Sequence, residues 1–170
     1  MKVIAMTTTQ PRRPLTRWVT APRYRIVVGV DGSPHSEAAL RWSLAEAEAR
    51  GGEVVAVFAW QVPFMSFPGA FDRDELEQAA KQFLIETVSR IVPTPPIPLW
   101  TLVAEGDPAA SLAEASKGAS LLVLGTRGRS RLAALLHGSV TRRCVKASPC
   151  PYVLVTRSGE LTGHVPARAG

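Results

Sequence analysis

The sequence predicts an α/β fold: one doubly wound domain with a five-stranded parallel sheet in the order 3-2-1-4-5 and helices on both faces. Short β-branched apolar runs, of the kind buried on both faces, alternate with stretches of helical period from Arg25 to Thr156. Right-handed crossovers between parallel neighbours leave only a few doubly wound orders open to such an alternation. A chain of 170 residues, 46% apolar and 20% charged, has the size and composition of a single globular domain.

The first predicted strand is "RIVVGV" (25–30), ending in the turn "DGSP", where Ser33 can cap a helix with Pro34 at its first position. That helix runs to about Arg50 and stops at Gly51-Gly52. "EVVAVFA" (53–59) is the second strand. Pro63, Pro68 and Gly69 make "WQVPFMSFPGAF" (60–71) a loop, aromatic enough to fold over something. Asp72, with Glu75 three residues on, starts a helix like a capping box. Its apolar stripe is Leu76, Ala80, Phe83, Leu84, Thr87, Val88 and Ile91, and it ends at "PTPPIP" (93–98). "LWTLVA" (99–104) is the third strand, and "GDPAASLAEASK" (106–117) a short helix capped by Asp107 ahead of Pro108. "SLLVLG" (120–125), "GSVTRRCVKA" (138–147) and "PYVLVT" (151–156) complete the pattern as strand, helix and strand. The domain is thus expected over 25–156, after a basic, disordered leader (1–24) and before a flexible tail (157–170).

The net charge of +6 is carried by residues 1–25, the leader and the first residue of the domain. Six of the 20 Lys and Arg residues lie in 1–25 with no acid among them, so the remaining residues balance 14 basic against 14 acidic side chains. That argues against nucleic-acid binding by the domain itself and leaves salt-sensitive, sequence-independent binding of nucleic acid or a membrane surface to the leader as a further reading. Arg12-Arg13 lacks the apolar core that a twin-arginine export signal needs, and Met6 is an alternative start. No run approaches the ~18 apolar residues of a membrane span. The two cysteines, Cys144 and Cys150, have no metal-ligand spacing, and the chain reads as cytoplasmic.

In an open parallel sheet, ligands bind beyond the carboxyl ends of the strands where the strand order reverses. In the order 3-2-1-4-5 that point lies between the first strand, ending in Asp31, and the fourth, ending in Gly125-Thr126-Arg127-Gly128. Gly125 and Gly128 can take positive φ and let the backbone approach a ligand. Gly138-Ser139 opens a helix whose first amides and dipole favour an anion, with Ser139 and Thr141 adding hydroxyls. From Leu121 to Cys150 there is no acid, while Arg127, Arg129, Arg131, Arg142, Arg143 and Lys146 are all cationic. Such a field suits a polyphosphate, and Asp31 opposite would accept from a ribose hydroxyl. Mg²⁺ accompanying it would be held mostly by phosphate and water. The glycine spacing is not that of a Walker loop, whose lysine is missing.

Other residues read as structural: His35 a helix-start residue, Cys144 and Cys150 small packing groups, Trp42 and Trp60 packing side chains. The apolar fifth strand, last in the sheet, would leave an open edge, which a two-fold partner offering the same strand would bury.

Gly125, Gly128, nine residues (129–137) and Gly138-Ser139 reproduce the phosphate motif of the nucleotide-binding universal stress proteins, and the domain resembles that family. The likeness continues in "VVGVDGSPHSEAALRW" (27–42), "VVAVFAW" (54–60) and "SPCPYVLV" (148–155), and covers about 25–156. It implies a Rossmann-like, adenine nucleotide alpha hydrolase-like domain that binds ATP and pairs as a homodimer through the last strand (151–156). By the same carry-over Gly29, Val30 and Asp31 border ribose and adenine, and Ala59 and Leu124 touch the base. Gly125, Arg127, Gly128, Arg129, Gly138, Ser139, Val140 and Thr141 hold the phosphates. Members often have further glycines where Ser130 and Arg131 stand, and an aliphatic residue where His137 stands, so the loop here is stiffer and more basic. The expected function is nucleotide-dependent regulation in stress response, with slow ATP hydrolysis or nucleotidyl transfer as the alternative. The turn "VDGSP" (30–34) lacks the glycine pair of the pyrophosphatase loops, which disfavours that alternative.

Overall fold

Five parallel strands make the centre of the sheet because each is apolar on both faces. The computed structural model describes residues 3–8, 24–62, 72–126 and 139–165. Its strands are β1 (Val3–Thr8), β2 (Arg25–Gly29), β3 (Glu53–Trp60), β4 (Leu99–Glu105), β5 (Leu121–Gly125), β6 (Tyr152–Val155) and β7 (Leu161–Val165). They form one sheet in the order β1-β4-β3-β2-β5-β6-β7. The inner run β4-β3-β2-β5-β6 is parallel throughout and is the predicted 3-2-1-4-5 order. In β2, Ile26, Val27 and Val28 are all fully buried, the signature of a strand covered on both sides.

The helices α1 (Pro34–Ala49) and α2 (Arg73–Ile91) cover one face, packing Leu40, Leu44, Leu84 and Val88 against Ile26, Val28, Val54 and Val123. On the other face α3 (Pro108–Ala115) and α4 (Ser139–Ala147) bring Leu112 and Cys144 against Val27, Val57, Leu122 and Leu124. The helix starts are set by local chemistry. The Ser33 hydroxyl accepts from the Ser36 N–H at 3.2 Å, Asp72 from the Asp74 N–H at 2.8 Å, and Asp107 from the Ala110 N–H at 3.0 Å. Of the expected α2 stripe, Ala80, Leu84, Thr87, Val88 and Ile91 are buried, whereas Phe83 is 37% exposed.

The sheet is wider than expected at both edges. Val3–Thr8, within the leader expected to be disordered, pairs antiparallel with β4. The run "VIAMTT" has the β-branched character of a strand, and the outer edge of β4 offers it backbone partners. Residues 9–23 lie outside the described residues, as does the aromatic loop at 63–71. In the tail expected to be flexible, Leu161–Val165 folds back antiparallel on β6. A tight turn makes this possible: Gly159 takes φ +85°, and Thr156 N–H donates to the Glu160 carbonyl at 2.9 Å. β6 is therefore not an open edge, and the premise for dimerisation through residues 151–156 does not hold.

Candidate functional site

The switch point predicted for the site lies at the carboxyl ends of β2 and β5, which are neighbours, Val28 pairing with Val123. On the β2 side the chain leaves the sheet through Val30, whose N–H still donates to the Val57 carbonyl at 2.9 Å, and enters a turn organised around Asp31. The Asp31 carboxylate accepts from the Ser33 N–H at 3.0 Å, and the Asp31 N–H donates to the Ser36 hydroxyl at 3.2 Å. Ser36 in turn donates to the Ser33 carbonyl at 2.9 Å. Partial burial acts to raise the Asp31 pKa, but the hydrogen bonds from Ser33 and Ser36 outweigh it and hold the carboxyl below its ordinary value. Asp31 is nevertheless exposed, so this fixed anion faces solvent.

The glycines serve a different purpose from the one expected. Gly125 does not take positive φ. A Cβ there would lie 2.5 Å from the carbonyl carbon of His35, 2.6 Å from its oxygen and 2.8 Å from the Ser36 nitrogen. The missing side chain lets β5 sit directly on the start of α1, the helix that carries the Asp31 turn. Gly29 is similarly close-packed, a Cβ there meeting Leu112 and Leu124 each at 3.3 Å. Leu124 and Val30 are buried, while Ala59, near the end of β3, is half-buried. The structure thus brings Gly29, Val30, Asp31, Ala59, Leu124 and Gly125 to one end of the sheet. Arg127, Gly128, Arg129 and Gly138 lie outside the described residues.

Ser139 opens α4, followed by Val140, which is 37% exposed, and Thr141, which is half-buried. Of the cations counted between Leu121 and Cys150, Arg143 is already engaged: its guanidinium meets the Asp107 carboxylate at 2.6 Å. Asp107, which also caps α3, therefore brings an acid to Arg143 of this basic stretch. Sequence reasoning missed it because it belongs to another element. Arg142 and Lys146 are exposed on α4.

Cys144 and Cys150 are both buried in the core beneath α3 and α4, and burial pushes the Cys144 thiol up to about 11. They pack, as expected, as does Trp60, at 9% exposure. Among the described residues no group of three or more His, Cys, Asp or Glu side chains gathers to hold a metal ion, and no helix is long and apolar enough to cross a membrane.

Residues 23–156 match the Universal stress protein family, well over half of the chain. The chain belongs to the universal stress protein family. A universal stress protein of Mycobacterium tuberculosis is 35% identical over 135 residues. That alignment takes in 78% of this chain and 45% of the relative, so this chain spans about half the length of its mycobacterial counterpart. Among solved structures, a universal stress protein from Archaeoglobus fulgidus superposes with a TM-score of 0.61 at 26% identity, covering 77% of this chain and 97% of that one. Two further members share the fold. One, a universal stress protein in complex with cAMP, has a TM-score of 0.57 at 24% identity, covering 81% of this chain and 99% of its own. The other, an Arabidopsis thaliana family protein with AMP bound, has a TM-score of 0.52 at 18% identity, covering 79% and 92%.

Proposed function

We propose that this chain binds ATP or a closely related adenine nucleotide and acts as a nucleotide-dependent regulator in stress response. The observation that carries the reading is Asp31. Its carboxylate is held ionised by its own turn and exposed beside the end of β5, at the point where the sheet reverses. A family in which solved members hold cAMP and AMP supports the adenine class.

In this reading Asp31 accepts from the ribose, with Gly29 and Val30 alongside it, and the base rests against Ala59 and Leu124. Gly125, Arg127, Gly128, Arg129 and Gly138 follow the phosphates to the start of α4. There the first amides, the Ser139 and Thr141 hydroxyls and Val140 complete the contact. Mg²⁺ travels with the phosphates. In this reading the chain pairs as a homodimer, and because β7 already covers β6 the free sheet edge it offers on that side is the outer edge of β7.

A thermal melt tests the reading. At a concentration of ATP-Mg about a hundred times its Kd, mass action adds ~2.7 kcal/mol, which for a domain of this size raises Tm by roughly 5–10 °C. A melt unmoved by millimolar ATP-Mg, AMP and cAMP alike would overturn it.

A further inference from the structure

We infer that Phe83 is a positioning residue: its ring, braced by Phe58, holds the Asp31–Gly32–Ser33 turn in the shape that presents the Asp31 carboxylate to a ribose. This rests on the nucleotide reading above and deepens it.

Phe83 belongs by period to the buried stripe of α2, yet it is 37% exposed where Leu84 beside it is fully buried. The ring has gone to the Asp31 turn instead. A Cβ on Gly32 would lie 2.8 Å from Phe83 Cζ and 3.3 Å from Cε2, so the ring edge rests against the one residue in the turn that has no side chain. Gly32 takes φ +78° and separates Asp31 from the Ser33 N–H that its carboxylate accepts. Glycine is the residue whose backbone needs most help to stay in one conformation. Without a contact on its open face, the turn could exchange that conformation for others and lose the bond from Ser33.

The ring itself is held. It meets Phe58, on β3, with centroids 4.7 Å apart and planes tilted by 47°. α2 is also tied to α1, the helix that starts at this turn: Arg90 meets Glu37 at 2.7 Å, and Arg41 donates to the Ile91 carbonyl at 3.2 Å. Sheet, α2 and turn are thereby connected through one aromatic side chain. Phe83 has no polar atom to offer the sugar or the phosphates, so an effect confined to the sugar hydroxyls passes through Asp31, whereas a ring that touched the base would weaken ATP and its dideoxy analogue alike.

The test is calorimetric titration of the full chain with ATP and with 2′,3′-dideoxy-ATP. Phe83→Ala removes the ring. Phe83→Tyr keeps it, together with the Phe58 contact, but sets an oxygen on Cζ against Gly32. Wild type should prefer ATP about tenfold, the value of a charge-assisted hydrogen bond. In both variants ATP should weaken by about that factor while the dideoxy analogue binds as before, so the preference collapses. Retention of the wild-type preference, or an equal loss for both nucleotides, overturns the inference.

If the wild type binds neither nucleotide, or both equally, the nucleotide or ribose reading has failed on its own account. Phe83 is then judged by the Asp31 carboxyl titration followed by NMR. That pKa should rise toward the ordinary carboxylate value in both variants, and a titration identical to wild type overturns the positioning role.

Discussion

The two ends of the sheet each carry a carboxylate at a strand terminus, and the contrast between them separates structure from function. At the amino end, Glu53 is only 7% exposed, and each of its oxygens is used by a neighbouring strand. Oε1 takes the Arg25 Nε–H at 2.7 Å from β2, and Oε2 takes the Trp100 indole N–H at 2.9 Å from β4. That acid stitches three strands together. At the carboxyl end, Asp31 is exposed and is bonded from within its own turn, by Ser33 and Ser36. A carboxylate consumed across strands is a structural part; one oriented locally and left facing outward is free to meet a ligand. Substitutions at the two ends should therefore separate stability from binding.

The largest effect is expected at the carboxyl end, where β5 rests on the helix that carries the Asp31 turn. Gly125→Ala puts a methyl group within 2.5–2.8 Å of the backbone of His35 and Ser36, and backbone cannot rotate away as a side chain can. Either β5 or the start of α1 must shift, at a cost of about 3 kcal/mol. Tm should fall by roughly 6–12 °C. Because the displaced segment carries Ser36, nucleotide affinity should drop with it. An unshifted melt would mean that β5 does not rest directly on the start of α1.

Gly125 also illustrates what the sequence could and could not disclose. Strands and helix starts were legible because their causes are local: the double-sided apolar run of 26–28, and the caps Ser33, Asp72 and Asp107, which bond to amides two or three residues on. That a glycine was needed at position 125 was legible too, but its reason was not, since the clash it avoids comes from a helix far back in the chain. The same limit hid Asp107 as the partner of Arg143, because a count of charges along one stretch does not see acids arriving from another element. Phe83 sat at the rim of a helical stripe, where period alone cannot say whether a ring turns into the core or out to a turn. Val3–Thr8 and Leu161–Val165 were read from the composition of their surroundings, yet their pairing is decided by the edges of β4 and β6. Gly125, Asp31 and the strand ends came together as predicted. The connection between Gly125 and Gly138 rests on sequence spacing.

At the amino end, Glu53→Ala should separate the two properties. It takes the acceptor from both the Arg25 guanidinium and the Trp100 indole, in a buried setting where such loss costs about 2 kcal/mol. Tm should fall by roughly 4–8 °C, while the nucleotide affinity of the folded protein, measured by calorimetry well below that Tm, should not change. A loss of affinity comparable to that of Gly125→Ala would show that the two ends are coupled rather than independent.

The smallest change in stability belongs to Asp31→Asn, which should have the opposite profile. The substitution keeps the shape of the side chain and removes its charge at an exposed position, so unliganded stability should move by no more than ~0.5 kcal/mol. ATP affinity should fall about tenfold, because a charge-assisted acceptor has been replaced by a neutral one. The dependence on pH follows from the sign of the shift. The folded carboxyl titrates below its ordinary value, so its contribution to stability is complete above the unfolded pKa of about 4 and is lost as pH falls through the lower folded value. The difference in Tm between wild type and the Asp31→Asn variant should therefore stay constant from pH 7 to about 5 and narrow only in more acidic solution. Solvent screening at this exposed site keeps that difference small. If the gap instead changed between pH 5 and 7, a different group would be setting the charge at this end of the sheet, and Asp31 would not be the ionised acceptor that the proposed nucleotide site requires.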